Sequence, residues 1–173
     1  GTAASIQAAG VTDLSQTHKA ALAYAAKGIA VFPVIAWDAP GKLPKEQGKE
    51  PAVKTGLKAA TTNVDQINEW WFAHPNWNVG IATGEPATFW VFDVDGEEGA
   101  ASLAAMEAEH GSLPETPEQA TARGRHICFA YDPARPIRNS ASRHPRHGFD
   151  PRKNIDVRGD GGYIVAAPSK HAT

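Results

Sequence analysis

The chain has 173 residues, 42% of them hydrophobic and 21% charged. That is the range of one ordinary domain able to bury a core, and it excludes a fibrous or fully disordered chain. A formal net charge of −2 excludes a uniformly basic surface, so any nucleic-acid binding has to rest on a local patch.

Gly1 to Ala9 is small and polar and reads as a cloning remnant or a mobile end, which places residues 1–11 outside the folded domain and 12–173 inside it. Met106 is the only methionine, so the chain is expected to start within a longer protein. Thr12 or Asp13 can cap a helix through Ala20, Leu22 and Ala25 that stops at Gly28, with Leu14, Ala21, Leu22 and Ala25 on its core stripe. Ile29 to Ile35 reads as a strand, and Pro33 within it demands an edge. Asp38 to Ala60 is a loop rich in Gly, Pro and Lys, in which Lys49 or Lys54 has the reach for a phosphate. Asn63 and Gln66 form a capping-box pattern for a helix carrying Ile67, Trp70 and Trp71 and ending before Pro75. Asn78 to Ala82 is a short strand, and Thr83-Gly84 a tight turn.

Phe89 to Asp95 is the most informative stretch. Its apolar residues read as a buried strand, yet it carries Asp93 and Asp95. Unpaired buried carboxylates cost several kcal/mol, so such residues are usually paired or bound to a cation. Alternation puts both on one face, about 7 Å apart. Paired carboxylates at a strand end suit hard divalent ions such as Mg²⁺ or Mn²⁺. Glu97 to His110 follows as an alanine-rich helix with Leu103 and Met106 inward and Gly111 as its stop. Ala120 to Ala122 and His126 to Tyr131 read as a strand pair around Arg123-Gly124-Arg125, a grouping that suits a phosphate cradle.

Pro133 to Lys153 is a long loop with Arg135, Arg138, Arg143, Arg146, Arg152 and Lys153. Ile155 to Val157 is a strand with Asp156 at its centre, so three strand-borne carboxylates could hold two ions, unless Asp156 is simply paired with Arg158. Gly159 to Gly162 is a turn, and Tyr163 to Ala167 the last strand. Cys128 is the only cysteine, which excludes an internal disulfide and a cysteine-rich zinc site and fits a reducing cytoplasm. His144 and His147 are read as exposed loop residues, and no zinc is expected. There is no apolar run of about 18 residues to span a membrane, and no signal peptide.

Three of these stretches, in this order, resemble the prim-pol family, the bifunctional primase–polymerases of the archaeo-eukaryotic primase superfamily found in plasmid and phage replication proteins. Val91-Phe92-Asp93-Val94-Asp95 is similar to the first motif, Gly124-Arg125-His126 to the second and Ile155-Asp156-Val157 to the third. Lys49-Glu50-Pro51, Ala60-Thr61-Thr62, Trp70-Trp71, the segment 78–84 and Gly161-Gly162-Tyr163-Ile164-Val165 extend the likeness over roughly Ala20 to Ser169. Two departures stand out. The second motif usually has a serine where this chain has Gly124, and relatives continue past the point where this chain ends, so its domain is expected to be cut short or its end disordered.

The resemblance implies an α+β, two-layer fold with a mostly antiparallel or mixed, RRM-like sheet carrying the carboxylates. It implies a DNA primase/polymerase, a nucleotidyltransferase working by two metal ions. Asp93, Asp95 and Asp156 would bind two Mg²⁺ or Mn²⁺ ions. His126, Arg125, Arg123, Arg158 and Lys54 would bind the nucleotide, and Arg138, Arg143 and Arg146 the template. The implied partners are single-stranded DNA, a primer and NTP or dNTP, in the cytoplasm of a bacterial or archaeal host, and there is room for a helicase module in the full-length protein. Three rival readings stand beside it. Val91 to Gly96 also resembles the first motif of haloacid-dehalogenase-like phosphatases, which expects Thr or Ser where this chain has Glu97 and a longer, doubly wound sheet. A nucleotide-sugar transferase with a metal-binding Asp-x-Asp is the second. The third is a non-catalytic single-stranded nucleic-acid-binding module, against which the presence of all three carboxylates argues.

Overall fold

The structure is a computed structural model that describes residues 14–141 and 152–170. The described chain forms two compact units, one of residues up to Ile81 together with those from Val165, the other Ala82–Ile164.

The first unit begins with helix α1, Gln16–Ala26. Its N-cap is Ser15, whose side chain accepts from the His18 amide; the expected caps Thr12 and Asp13 lie outside the described residues. Strand β1, Val31–Val34, pairs antiparallel with β2, Asn78–Ala82. With β7, Tyr163–Ala166, they make a three-stranded sheet in the order β1-β2-β7. The edge position of β1 is the one Pro33 requires, because proline has no N–H to give a second neighbour. Helix α2, Val64–Ala73, starts at Asn63, whose side chain accepts from the Gln66 amide. The Gln66 side chain turns to Glu69 instead of back to Asn63, so the box is half made. The buried side chains of His18 and Asn78 are partnered. His18 Nε2 lies 2.7 Å from Asn68 Oδ1, and Asn78 donates to the Gly48 and Lys170 carbonyls while accepting from the Lys170 amide.

The second unit is built on β3, Phe89–Asp95, which runs straight into α3, Gly96–His110. Gly96 makes that junction at φ +67°, a conformation that suits glycine. Strands β4, Glu118–Ala120, β5, Gly124–Ala130, and β6, Ile155–Arg158, complete a four-stranded sheet in the order β4-β5-β3-β6. All three of its pairings are antiparallel. A central first strand, followed by a helix and flanked by the later strands, is the RRM-like arrangement the sequence led us to expect. It is not the parallel, doubly wound sheet that a haloacid-dehalogenase-like phosphatase needs. One sheet face packs on α3: Val94, Leu103, Ile127 and Ile155 are nearly fully buried together, with Phe92, Met106, Leu113 and Phe129 around them.

The β4–β5 pair begins about two residues earlier than its sequence suggests. Gly124 and Arg125 are therefore strand residues, not part of a loop. Among the described residues no helix is long and apolar enough to cross a membrane. Because Leu103 is 2% exposed and enclosed by three strands, Leu103→Ala is expected to lower unfolding free energy by about 2–5 kcal/mol in a urea melt. A loss under about 1 kcal/mol would show that this face is not the unit's core.

Candidate active site

Antiparallel register sets the site. Asp93 on β3 lies opposite Asp156 on β6 and opposite His126 on β5, and His126 in turn lies opposite Gln119 on β4. Directly opposed residues share a face, so Gln119, His126, Asp93 and Asp156 form one row across four strands, on the side away from α3. Two carboxylates directly opposed would repel, and the structure supplies a cation for them. Arg158, two residues along β6 from Asp156 and on the same face, brings one guanidinium nitrogen to 2.8 Å from Asp156 Oδ2 and 3.4 Å from Asp93 Oδ2. On the other side, His126 Nε2 is 3.4 Å from Asp93 Oδ1.

These groups decide the charge of Asp93. Burial pushes its carboxyl pKa up, but the hydrogen bond and charge of His126 and the charge and hydrogen bond of Arg158 together outweigh it. The net pKa is held below the ordinary carboxylate value. An ionised Asp93 only accepts, so its bond to His126 puts a proton on Nε2. His126 is 7% exposed, and its Nδ1 is buried with no hydrogen-bond partner among the described residues.

Asp95 lies at the strand end, on the Asp93 face by alternation. Its carboxylate is 2.6 Å from Arg123 of the β4–β5 turn, and its amide donates to Asn154 O, just before β6. Arg125 belongs elsewhere: it is opposite Val94, hence on the α3 side of the sheet, where it pairs with Glu118. The expectation that it would share a phosphate with its neighbour His126 is not met by this geometry, because adjacent strand residues point to opposite faces. Cys128 lies opposite Val91, and burial pushes its thiol pKa up. Arg138 is exposed on a segment that bridges to Asp160, Lys54 is exposed in the first unit, and Arg143 and Arg146, with His144 and His147, lie outside the described residues. Gln119 is the group the sequence did not flag. Its place beside His126 depends on a β4 register that no motif announces.

Asp93 and Asp156 already turn oxygens to one shared cationic atom, the Arg158 nitrogen, and both are hard oxygen donors. The pair therefore fits a divalent ion such as Mg²⁺ or Mn²⁺. Among the described residues, no three His, Cys, Asp or Glu side chains close on one metal position. Asp95 is directed to Arg123. Gly124 explains its own departure from the family's serine: a Cβ there would run into the Val94 carbonyl oxygen.

Two outcomes are expected. Gly124→Ser should destabilise the fold by about 1–3 kcal/mol in a urea melt, rather than restore a useful hydroxyl; a neutral effect would contradict this packing. The depressed native pKa of Asp93 means its stabilisation is present above the unfolded carboxyl value, about 3.9, and is lost as pH falls through the lowered native value. Urea melts at falling pH should therefore show an acid-side loss that is smaller in Asp93→Asn. Equal acid slopes would remove the Asp93 assignment.

A family model described as Prim-Pol, the N-terminal domain of bifunctional DNA primase/polymerases, matches residues 21–173. No curated protein matches the chain. The match takes in every strand of both sheets and supports DNA primase/polymerase-type activity on DNA and nucleotide substrates. On this match over most of its length, the chain belongs to the Prim-Pol family of bifunctional DNA primase/polymerase N-terminal domains.

Proposed function

We propose that this chain performs template-directed nucleotidyl transfer on single-stranded DNA, from NTPs or dNTPs, with Mg²⁺ or Mn²⁺ as the cofactor. The observation that carries this reading is the opposed pair Asp93 and Asp156, kept apart from the apolar core and already sharing one cation. Asp93 and Asp156 would hold the ions, with Asp95 joining them on leaving Arg123. Such ions, when bound, neutralise the triphosphate and its leaving pyrophosphate and make the attacking hydroxyl more acidic.

The chain's own residues do the rest. Asp93 is ready as a ligand because it is ionised without any ion present. His126, nearly buried, fixes one Asp93 oxygen and so orients the other. Arg123 and Arg158 are guanidinium forks at the edge of the carboxylates, suited to triphosphate oxygens. Arg125, on the α3 side, is better suited to holding β4 through Glu118. Lys54 remains a phosphate candidate, and Arg138, Arg143 and Arg146 remain candidates for the template backbone, a contact that would make binding salt-dependent. The setting we infer is plasmid or phage replication in the cytoplasm of a bacterial or archaeal host, alongside a helicase module.

The test is nucleotide incorporation on single-stranded DNA with Mn²⁺ or Mg²⁺, with and without a primer. Asp93→Asn and Asp156→Asn should each lower product by roughly 10²-fold or more. Unprimed products would identify a primase, and extension from a primer alone a polymerase. Metal-dependent synthesis undiminished in Asp93→Asn would overturn the site.

A further inference from the structure

The mechanism above leaves one residue doing something it does not need: Arg158 sits on the oxygens that the ion would take. Its nitrogen is 2.8 Å from Asp156 Oδ2 and 3.4 Å from Asp93 Oδ2, and its side chain is about as covered as that of Asp93, at 27% and 26% exposure. The position follows from the register. Asp156 is opposite Asp93, and Arg158 is opposite Val91, one same-face step along β6. A four-atom stem from that step returns the guanidinium between the two carboxylates.

We infer that Arg158 is an exchangeable counter-ion: it holds Asp93 and Asp156 together when no divalent ion is bound, and it competes with the ion for their oxygens. This rests on the metal reading of the site proposed above and adds a residue to it.

Two observations carry the inference. Opposed like charges destabilise a sheet, so the pair needs a cation at all times for the strands to keep their register. Second, a divalent ion of the Mg²⁺ type binds carboxylate oxygen at about 2.1 Å, closer than the guanidinium nitrogen lies to either oxygen. The ion and the guanidinium would draw on the same two oxygens, and their like charges would repel at that separation, so each weakens the other's hold. The arrangement separates two tasks that a bare carboxylate pair would confuse. The sheet is held in register without metal, and metal arrival frees a guanidinium beside the bound ion, where an anionic triphosphate would lie.

The counter-ion role makes a prediction opposite to that for an ordinary supporting residue. Removing a supporting residue weakens metal binding; removing a competitor strengthens it. Arg158→Met keeps most of the stem and its packing while deleting the charge. Arg158→Lys keeps the charge. The measurement is direct Mn²⁺ binding, read from the electron paramagnetic resonance of free Mn²⁺ without nucleotide or DNA, paired with thermal melts in EDTA and in Mn²⁺.

Arg158→Met is expected to bind Mn²⁺ about twofold to fivefold more tightly than the native protein, the range for loss of one partly exposed ion pair. It should melt lower than the native protein in EDTA, and Mn²⁺ should raise its Tm by more. Arg158→Lys should stay close to native in affinity. If Arg158→Met does not fold in EDTA but folds in Mn²⁺, that too supports the role, since the ion then replaces the missing cation. Equal or weaker Mn²⁺ affinity in Arg158→Met would overturn the competition while leaving the metal site intact. Absence of Mn²⁺ binding to the native protein and to both variants would overturn the metal reading, and this inference with it.

Discussion

The second unit depends on how an ionised carboxylate is accommodated on an interior strand. Asp93 lies between β5 and β6 with Asp156 directly across from it, a placement that costs free energy unless cations offset it. Arg158, bonded to both Asp93 and Asp156, provides that offset, and His126 meets Asp93 from the other side; both lower the Asp93 pKa. The same three contacts therefore stabilise the sheet, fix the charge state of its central acid and place donor oxygens side by side. Structure and chemistry are not separable at this point of the chain.

The sheet's alternation divides the labour. Val94, Ile127 and Ile155 pack on Leu103 of α3, and their strand neighbours Asp93, His126 and Asp156 turn the other way. The apolar face supplies rigidity, and the polar face borrows it. Helix α3 adds a second hold on the site through its first turn. Glu98 pairs with Lys153 and accepts from Asn154, and Ser102 donates to the Lys153 carbonyl. That fastens the residues that lead into β6, and so the position of Asp156.

Much of this was legible from residue order. A strand reading from Phe89 to Asp95 announces its carboxylates, because charge within an apolar run has to be explained. The α3 stop at Gly111, the Asn63 cap and the edge strand around Pro33 were equally plain, each being a local signal. Long-range register was not legible. That Asp156 faces Asp93 across β6, or that Gln119 flanks His126, depends on pairings of segments far apart in sequence, for which periodicity carries no information. Arg125 illustrates the cost. Treated as part of a turn, it joined Arg123 and His126 as a phosphate group; as a strand residue it must point away from His126, and it meets Glu118 instead. The Gly124 departure is explained by the close approach of the Val94 carbonyl, a long-range contact that no local pattern announces.

The central claim is that one row of side chains across the second sheet, centred on Asp93, is where a divalent cation binds. Paramagnetic broadening of backbone amide resonances by substoichiometric Mn²⁺ tests it most directly. The account predicts that signals from 91–95, 126 and 154–158 are lost first. Broadening that begins elsewhere, or none at these positions, would contradict it.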